Sequence, residues 1–566
     1  MSGERIDYGI ERQRHEDFVG RAALLARLDQ LLISDRTDRW VVVTGGPGMG
    51  KSAMLAAWLA QREAAGAVVP HHFIRRGEYD WDDPAKLVSS LVAQIEERFP
   101  DQRESAADVQ THPTTRLVAM LTRVAANELR PRGEHLVVLI DGLDEYDPPA
   151  GAPTGDPLAA FLPHALPRGV SFLCACRPRH PYLPMLETRD GELVRLDLDD
   201  PDLTADNDAT VRGLWEQAAP PLGLDARFID EAVARAGGNL QHAVMLRKHL
   251  AGRPVAERRV ERIPRGLAAL LVKLWQRIAT DPLTVRGLGI LCAAREALTL
   301  DELGAVAGWT DEAQRQAFVR DASELLVETH RADQQTEYRL HHDAIHAHIT
   351  SMLGPAVVRG HHAALARQLA TWPAPRDATT RRYALRHALT HRAAAGDWTE
   401  AWRLAADMSF LEAKCRELGA HEAEADMARV ASRCRASGDE VIGRQFDELA
   451  RALTRESHWL RAAPEAIAAV VWNRLRRSGW SADDIEEKLR ISPGAAFLRV
   501  RHGATRESPA LVRDLVGHTG GVTACAVTPD SRRAVSASRD QTLKVWDLES
   551  GRLFATLEGH TARSGR

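Results

Sequence analysis

One octapeptide constrains this chain more than anything else in it. Trp40 to Thr44 reads WVVVT, a β-branched run suited to a buried strand. Gly45-Gly46-Pro47-Gly48-Met49-Gly50-Lys51-Ser52 follows at once, and a helix-forming stretch runs from Ser52 to Ala64. The octapeptide fits GxxxxGK[ST] at every fixed position, in the strand–turn–helix context that gives the pattern its meaning. Glycines let backbone N–H groups turn inward around an anion, where side chains would block the approach. The helix N-terminus adds partial positive charge. The expected ligand is therefore a phosphate chain held by Gly45, Gly46, Pro47, Gly48, Met49, Gly50, Lys51, Ser52 and Ala53. Lys51 reaches the β- and γ-phosphates of a nucleotide, and the Ser52 hydroxyl is a ligand for Mg2+. The plain alternative is a chance Lys-Ser after a glycine-rich turn, and the flanking elements argue against it.

A second stretch completes such a site. LVVLIDGLDE (136–145) is an apolar strand with Asp141 at its C-terminal end, where open α/β sheets bind ligands. Asp141 is the expected second contact to Mg2+. Asp144 and Glu145 are each placed to polarise an attacking water, with Glu145 the preferred general base. Arg177 ends the next candidate strand, in CACRPRHP, and could contact a γ-phosphate and report its loss. The plain readings are solvated loop acids and a surface arginine paired to them.

The pattern around these motifs sets the fold class. Further strands are expected at 67–74, 135–140, 170–176 and 192–198, with helices between them, such as 85–99. That alternation implies a doubly wound parallel sheet. From about 205 to 500 the chain turns helical. ELLVETHRADQQTEYRLHHD (324–343) interrupts it with two short strands around a polar turn, like the wing of a winged helix. Trp398, Trp402 and Leu404 recur at helical spacing as core residues. GHT occurs at 517–519 and again at 559–561, 42 residues apart, the period of a propeller blade. The expected fold is thus multidomain, mainly α/β and then all-α, ending in one β-propeller blade. Its parts are an N-terminal extension 1–17, a P-loop core 18–203, a small helical domain 204–263, a winged helix 264–352, a helical spacer 353–505, one blade 511–558 and the start of a second, truncated repeat 559–566. A length of 566 residues agrees with about four domains.

Composition excludes some functions. Lys plus Arg total 74 against 78 acidic residues, a net charge of −4, so nothing favours coating nucleic acid or an anionic membrane. No apolar run is long enough to span a bilayer, and the charged N-terminus lacks a signal core. Six cysteines make no disulfide framework in a chain this long, and Cys174 and Cys176 are expected as free thiols in a buried strand. A reducing cytoplasm is the expected setting.

Phe18-Val19-Gly20-Arg21, the phosphate loop, the DGLDE strand end and Arg177 together resemble the STAND class of signalling NTPases, particularly bacterial NACHT-type ATPases with C-terminal WD repeats. The resemblance covers roughly 18–350 by motif, 355–500 by texture and 512–566 by the propeller signature. It implies that Val19, Gly20 and Arg21 line the adenine and ribose end of the pocket, and that ATP or ADP is the nucleotide. It also implies that His342, in RLHHDAI (339–345), contacts the β-phosphate of ADP and locks a closed state. Taken alone, a histidine at that junction is a packing or capping residue. The sequence departs from the family at His341 in place of an apolar residue, at Cys176 in place of a serine, and at Gly237-Gly238-Asn239-Leu240 in place of a Gly-Leu-Pro turn. The missing proline leaves adenine contacts from that segment open. In the C-terminal blade, His518, Ser538 or Ser536, Asp540 and Trp546 match a bracing hydrogen-bond chain of structural purpose.

The function expected on this resemblance is a slowly hydrolysing ATP switch, closed with ADP and open with ATP. It self-associates on activation and senses a ligand or protein through its C-terminal repeats. Only 17 residues precede FVGR, so the effector is expected to be a partner or a portion not encoded here. Two alternatives stay open. One is a winged-helix DNA-handling ATPase, which WNRLRRSGW (472–480) and FLRVRHGATR (497–506) would serve. The other is a scaffold that holds nucleotide without turning it over.

Overall fold

The computed structural model of the protein describes residues 6, 8, 9, 12, 18, 20–75, 81–103, 113–146, 156–251, 253–255, 258–259, 263–330, 335–340, 343–373, 377–491, 497–500, 515–528, 533–548 and 553–557. The chain divides into two compact units. One comprises Met1–Glu104, Pro113–Asp147 and Leu158–Pro355, and the other Ser105–His112, Pro148–Pro157 and Ala356–Arg566.

The first unit is built on a five-stranded sheet. Its strands are β1 (Arg39–Thr44), β2 (His71–Phe73), β3 (Leu136–Asp141), β4 (Val170–Cys176) and β5 (Glu192–Asp197). Their spatial order is β2-β3-β4-β1-β5, and every pairing is parallel. The expected parallel sheet is therefore present. β2 is shorter than the sequence suggested, because Pro70 cannot donate to the ladder and only His71–Phe73 pair with β3.

Period-2 alternation divides the central strands between two cores. Trp40, Val42, Val138, Ile140, Phe172 and Cys174 face one helical layer, while Val41, Val43, Val137, Leu139 and Leu173 face the other. Cys174 and Cys176 are buried free thiols, and burial pushes Cys174 up to about 12.

The N-terminal segment contributes to the second core. Tyr8 is 3% exposed and lies 4.9 Å from the Trp81 ring. Its hydroxyl donates to His72 Nδ1, and His72 Nε2 donates to the Trp81 carbonyl at 2.7 Å. His72 is completely buried in β2 and spends both ring nitrogens as a single neutral tautomer.

Helices Thr204–Leu222, Ala226–Ala236 and Leu240–Ala251 follow the sheet. Helices Gly266–Ile278, Pro282–Ala293, Leu300–Ala307 and Glu312–Ala322 then precede an antiparallel ribbon of β7 (Leu326–His330) and β8 (Thr336–Leu340). β6 (Leu298–Thr299) adds a third strand in the order β6-β8-β7, a winged-helix arrangement. Buried Glu324 accepts from Arg277 Nη1 at 2.9 Å and lies 3.0 Å from His249 Nδ1, so one carboxylate clasps the wing region to the preceding helices.

In the second unit, helices from Pro355 to Lys488 pack around aliphatic and aromatic side chains. Trp402 meets Phe446 edge-on at 5.4 Å, and Leu404 is buried. Trp398 is only half-buried. The chain then forms an antiparallel sheet of β9 (Val522–Val527), β10 (Arg533–Ser538), β11 (Leu543–Asp547) and β12 (Leu553–Leu557), in the order β12-β11-β10-β9. His518 bridges Ser536 Oγ at 2.7 Å and Asp540 Oδ2 at 2.8 Å, and Trp546 Nε1 donates to Ser536 Oγ at 2.6 Å. Ser536 is thus the serine of the bracing chain, while Ser538 donates to the Gly520 carbonyl instead. The second GHT lies outside the described residues.

His72 generates a pH prediction. Burial holds its pKa down at about 3, below the ordinary value of 6.5. The unfolded chain therefore binds a proton that the native state refuses, and stability falls as pH drops below 6.5. Denaturant unfolding at pH 5 should show a loss of about 2 kcal/mol from this residue alone. His72→Gln should flatten that dependence, whatever it costs at pH 7. An equal acid slope in the variant would remove His72 as the cause.

Candidate functional site

In a parallel sheet every strand ends on the same edge, so residues far apart in sequence meet there. The order β2-β3-β4-β1-β5 fixes who meets whom. Arg75 follows β2, Asp141 ends β3, Arg177 follows β4, the glycine loop follows β1, and Asp199 follows β5. β4 lies between β1 and β3, which sets Arg177 between the loop and the acidic strand end.

The loop has the conformation its glycines permit. Gly48 has φ +80° and Gly50 φ +81°, values that side-chain-bearing residues rarely adopt. The helix Lys51–Ala64 starts directly after Gly50. Lys51 bends back over the loop, and its Nζ donates to the Gly45 carbonyl at 2.7 Å and the Gly46 carbonyl at 3.3 Å. Burial lowers the Lys51 pKa, opposed by the fields of Asp144 and Asp141. The Gly46 amide donates to Asp199 Oδ2 at 2.7 Å, so a carboxylate sits on one of the loop's N–H groups.

The acidic side of the site is fully paired. Asp141 is 1% exposed, and Arg75 Nη2 lies 2.7 Å from its Oδ2. The same nitrogen is 3.2 Å from Ser52 Oγ. The other, Nη1, reaches Glu145 Oε1 at 3.1 Å. Asp144 points elsewhere. Its Oδ2 takes Arg177 Nε at 2.7 Å and its Oδ1 takes the Arg177 amide at 3.1 Å. Leu143–Glu145 form one 3₁₀ turn after Gly142, which sends the two neighbouring acids to different arginines.

A third group closes on the loop from the helical side. Asn239 Nδ2 donates to the Pro47 carbonyl at 2.9 Å, and the Gln241 amide donates to the Gly48 carbonyl at 3.0 Å. A Cβ on Gly48 would stand 2.6 Å from Gln241 Cβ, and one on Gly50 would stand 2.6 Å from Leu240 Cδ1. The Gly-Gly-Asn-Leu segment, which lacks the family's proline, therefore rests on the phosphate loop. Arg21 is 1% exposed, in the left-handed region at φ 55°, and its Nη2 donates to the Met49 carbonyl. Gly20, with φ +102°, leaves room for Thr210, whose Oγ1 would lie 2.5 Å from an added Cβ. Burial lowers the Arg21 pKa to about 10, against the fields of Asp206 and Asp199, so it stays charged.

The edge thus brings together Gly45–Ser52, Asp141, Asp144, Glu145, Arg177 and Arg21. Val19, His341 and His342 lie outside the described residues. Sequence reasoning missed Arg75, Asp199 and Gln241, and singled out Asn239 only as part of the Gly-Gly-Asn-Leu segment. Arg75 carried a readable signal, a charged residue just past a strand end, the same signal that singled out Asp141 and Arg177. Asp199 and Gln241 act across long sequence separations and left none.

Gly48 and Gly66 separate two causes of glycine dependence. Both have φ +80°, but an added Cβ at Gly66 meets nothing within 4 Å. Gly66→Ala should cost about 1–2 kcal/mol from backbone strain alone. Gly48→Ala should cost more and should raise hydrogen exchange in 237–242, which Gly66→Ala should leave unchanged. Equal exchange in both variants would mean that the helical segment does not depend on the loop.

Comparisons with known proteins match two segments of the chain. Residues 17–166 match the AAA ATPase domain, and residues 509–547 match the WD domain, G-beta repeat. A Lissencephaly-1 homolog from Caenorhabditis briggsae is 35% identical over 100 residues, 16% of this chain and 25% of that protein. Autophagy-related protein 16 from Arabidopsis thaliana is 41% identical over 54 residues, 10% of this chain and 11% of that protein. The chain thus spans a quarter or less of either curated relative. Among solved structures, a STAND protein with a tetratricopeptide repeat sensor from Pyrococcus horikoshii is similar at a TM-score of 0.41 and 12% identity, covering 86% of this chain and 64% of that one. The Drosophila ORC structure bound to DNA is similar at 0.30 and 14%, covering 62% and 93%. Likenesses of that strength say nothing specific about this chain. The two matched segments do: the chain joins an AAA-type P-loop ATPase domain to a C-terminal WD repeat.

Proposed function

We propose that this protein is an ATP-hydrolysing switch whose nucleotide site is the edge described above. The observation that carries the reading is the convergence of the Lys51 loop, Asp141, Glu145 and Arg177 on that edge, with the segment 237–242 hydrogen-bonded to the loop. In this reading Lys51 exchanges the Gly45 and Gly46 carbonyls for phosphate oxygens, and the loop amides hold the β-phosphate. Glu145 takes a proton from the attacking water as the bond from the γ-phosphorus to its bridging oxygen breaks and ADP leaves. Both acids are paired to an arginine in this structure, but Asp144 also accepts from the Arg177 amide and is the more buried of the two, so Glu145 is taken as the base. Arg177, held beside the loop by that pair, is the group placed to register the γ-phosphate.

The residues present fit Mg2+. Ser52 Oγ and Asp141 Oδ2 are hard oxygen donors, one hydroxyl and one carboxylate, gathered around a single point now marked by Arg75 Nη2. Bound there, Mg2+ would neutralise the phosphate charge that builds up as the bond breaks. Segment 237–242 supports the switch half of the reading. It touches the loop that changes charge when nucleotide binds, so nucleotide state and helix placement share one contact. Self-association and sensing through the WD repeat, with a protein as the sensed ligand, complete the proposal. ADP-closed and ATP-open are its two states, and His342 is its expected lock.

Single-turnover hydrolysis with radiolabelled ATP tests the reading. Glu145→Gln should bind ATP normally and slow hydrolysis by about 10²–10⁴-fold. Lys51→Ala should abolish nucleotide binding measured by calorimetry. Equal hydrolysis rates in wild type and Glu145→Gln would sink the base assignment, and tight binding by Lys51→Ala would overturn the site.

A further inference from the structure

The reading above leaves Arg75 without a role. Arg75 directly follows Phe73 and Ile74 at the end of β2, next to β3 in the sheet, and its side chain is 11% exposed. Its guanidinium contacts each of the three oxygen groups that the proposal gives to metal and water. Nη2 lies between Ser52 Oγ at 3.2 Å and Asp141 Oδ2 at 2.7 Å, and Nη1 lies at 3.1 Å from Glu145 Oε1. Nη1 also donates to the Ile74 carbonyl at 2.8 Å, which anchors the fork to its own strand. The backbone opposite is cut to fit it. Gly142 has φ +78°, and a Cβ there would come within 2.5 Å of the Ile74 carbonyl and 2.9 Å of Arg75 Nη1.

We infer that Arg75 is a resident cation that holds the divalent-metal position until metal and nucleotide arrive together. The inference rests on the assignment of Ser52 and Asp141 as metal ligands. Its physics is competition for the same oxygens. A carboxylate as buried as Asp141 must be paired, and in this structure the guanidinium pairs it. Two cations cannot share those oxygens without mutual repulsion, so a divalent ion binds only when the fork leaves Ser52 and Asp141. The apparent metal affinity is then reduced by the fraction of molecules in which the site is open. Nucleotide phosphates, which add negative charge at the loop, tip the competition toward the divalent ion.

Mn2+ alone, without nucleotide, is the probe. The electron paramagnetic resonance signal of free Mn2+ is followed while the full chain is titrated into it. Arg75→Gln should half-saturate at an Mn2+ concentration about tenfold or more below wild type, because the closed form is removed. Arg75→Gln combined with Asp141→Asn should lose that saturable binding. A wild-type or higher midpoint in Arg75→Gln, with binding still abolished by Asp141→Asn, would overturn the resident-cation role and leave the metal site standing. Undiminished binding in the double variant would overturn the metal site itself. If Arg75→Gln does not fold, judged by circular dichroism, Arg75→Lys carries the comparison. Its single ammonium cannot bridge three oxygens, so its midpoint should fall below wild type, and a midpoint equal to wild type would also overturn the role.

Discussion

The contact on which the rest of the nucleotide site depends is the pair between Asp141 and Arg75. A carboxylate at the end of a central strand is dry by construction, because helices cover both faces of the sheet. Left unpaired, it would either take up a proton or destabilise the strand that carries it. The guanidinium at 2.7 Å resolves this. It also draws Ser52 and Glu145 into one cluster, so the helix after the glycine loop and the 3₁₀ turn after β3 are oriented by the same cation. Arg177 does the parallel task for Asp144. The two acids of one short turn are thereby told apart by their partners rather than by their own chemistry.

The glycine loop is constrained from two sides. A phosphate needs bare backbone on the inner side, and the 237–242 segment needs bare backbone on the outer side. Gly48 and Gly50 serve both, since their φ values and their closeness to Gln241 and Leu240 each exclude a side chain. Either demand alone would account for a glycine. Together they mean that the helical segment contacts the same few atoms whose charge environment changes with nucleotide, and this shared contact gives the switch reading its physical basis.

Much of this was legible in the sequence, and for identifiable reasons. β1, β3 and β4 announced themselves because strands buried on both faces read as unbroken apolar runs. Lys51, Ser52 and Asp141 could be singled out because a local spacing marks them, and the fold gathers them at one edge. The wing ribbon and the WD chain through His518 and Trp546 were found because turns and short strands carry local signals. Arg75 was passed over although the strand expected at 67–74 ends just before it and it obeys the same strand-end rule as Arg177. Asp199 had no local signature, and Asn239 was marked only as part of the Gly237–Leu240 turn. Their roles exist only once the chain has brought residues more than 150 positions apart to within hydrogen-bond distance of Pro47 and Gly46.

Tyr8 bears on how the first unit assembles. Its ring is enclosed by His72 and Trp81, and its hydroxyl supplies the proton that His72 accepts. During synthesis the N-terminal segment leaves the ribosome long before those partners exist, and domains generally fold as units as they emerge. Tyr8 must therefore wait until the chain has grown past Trp81. Only then can it close on His72 in β2, the strand that leads to Arg75.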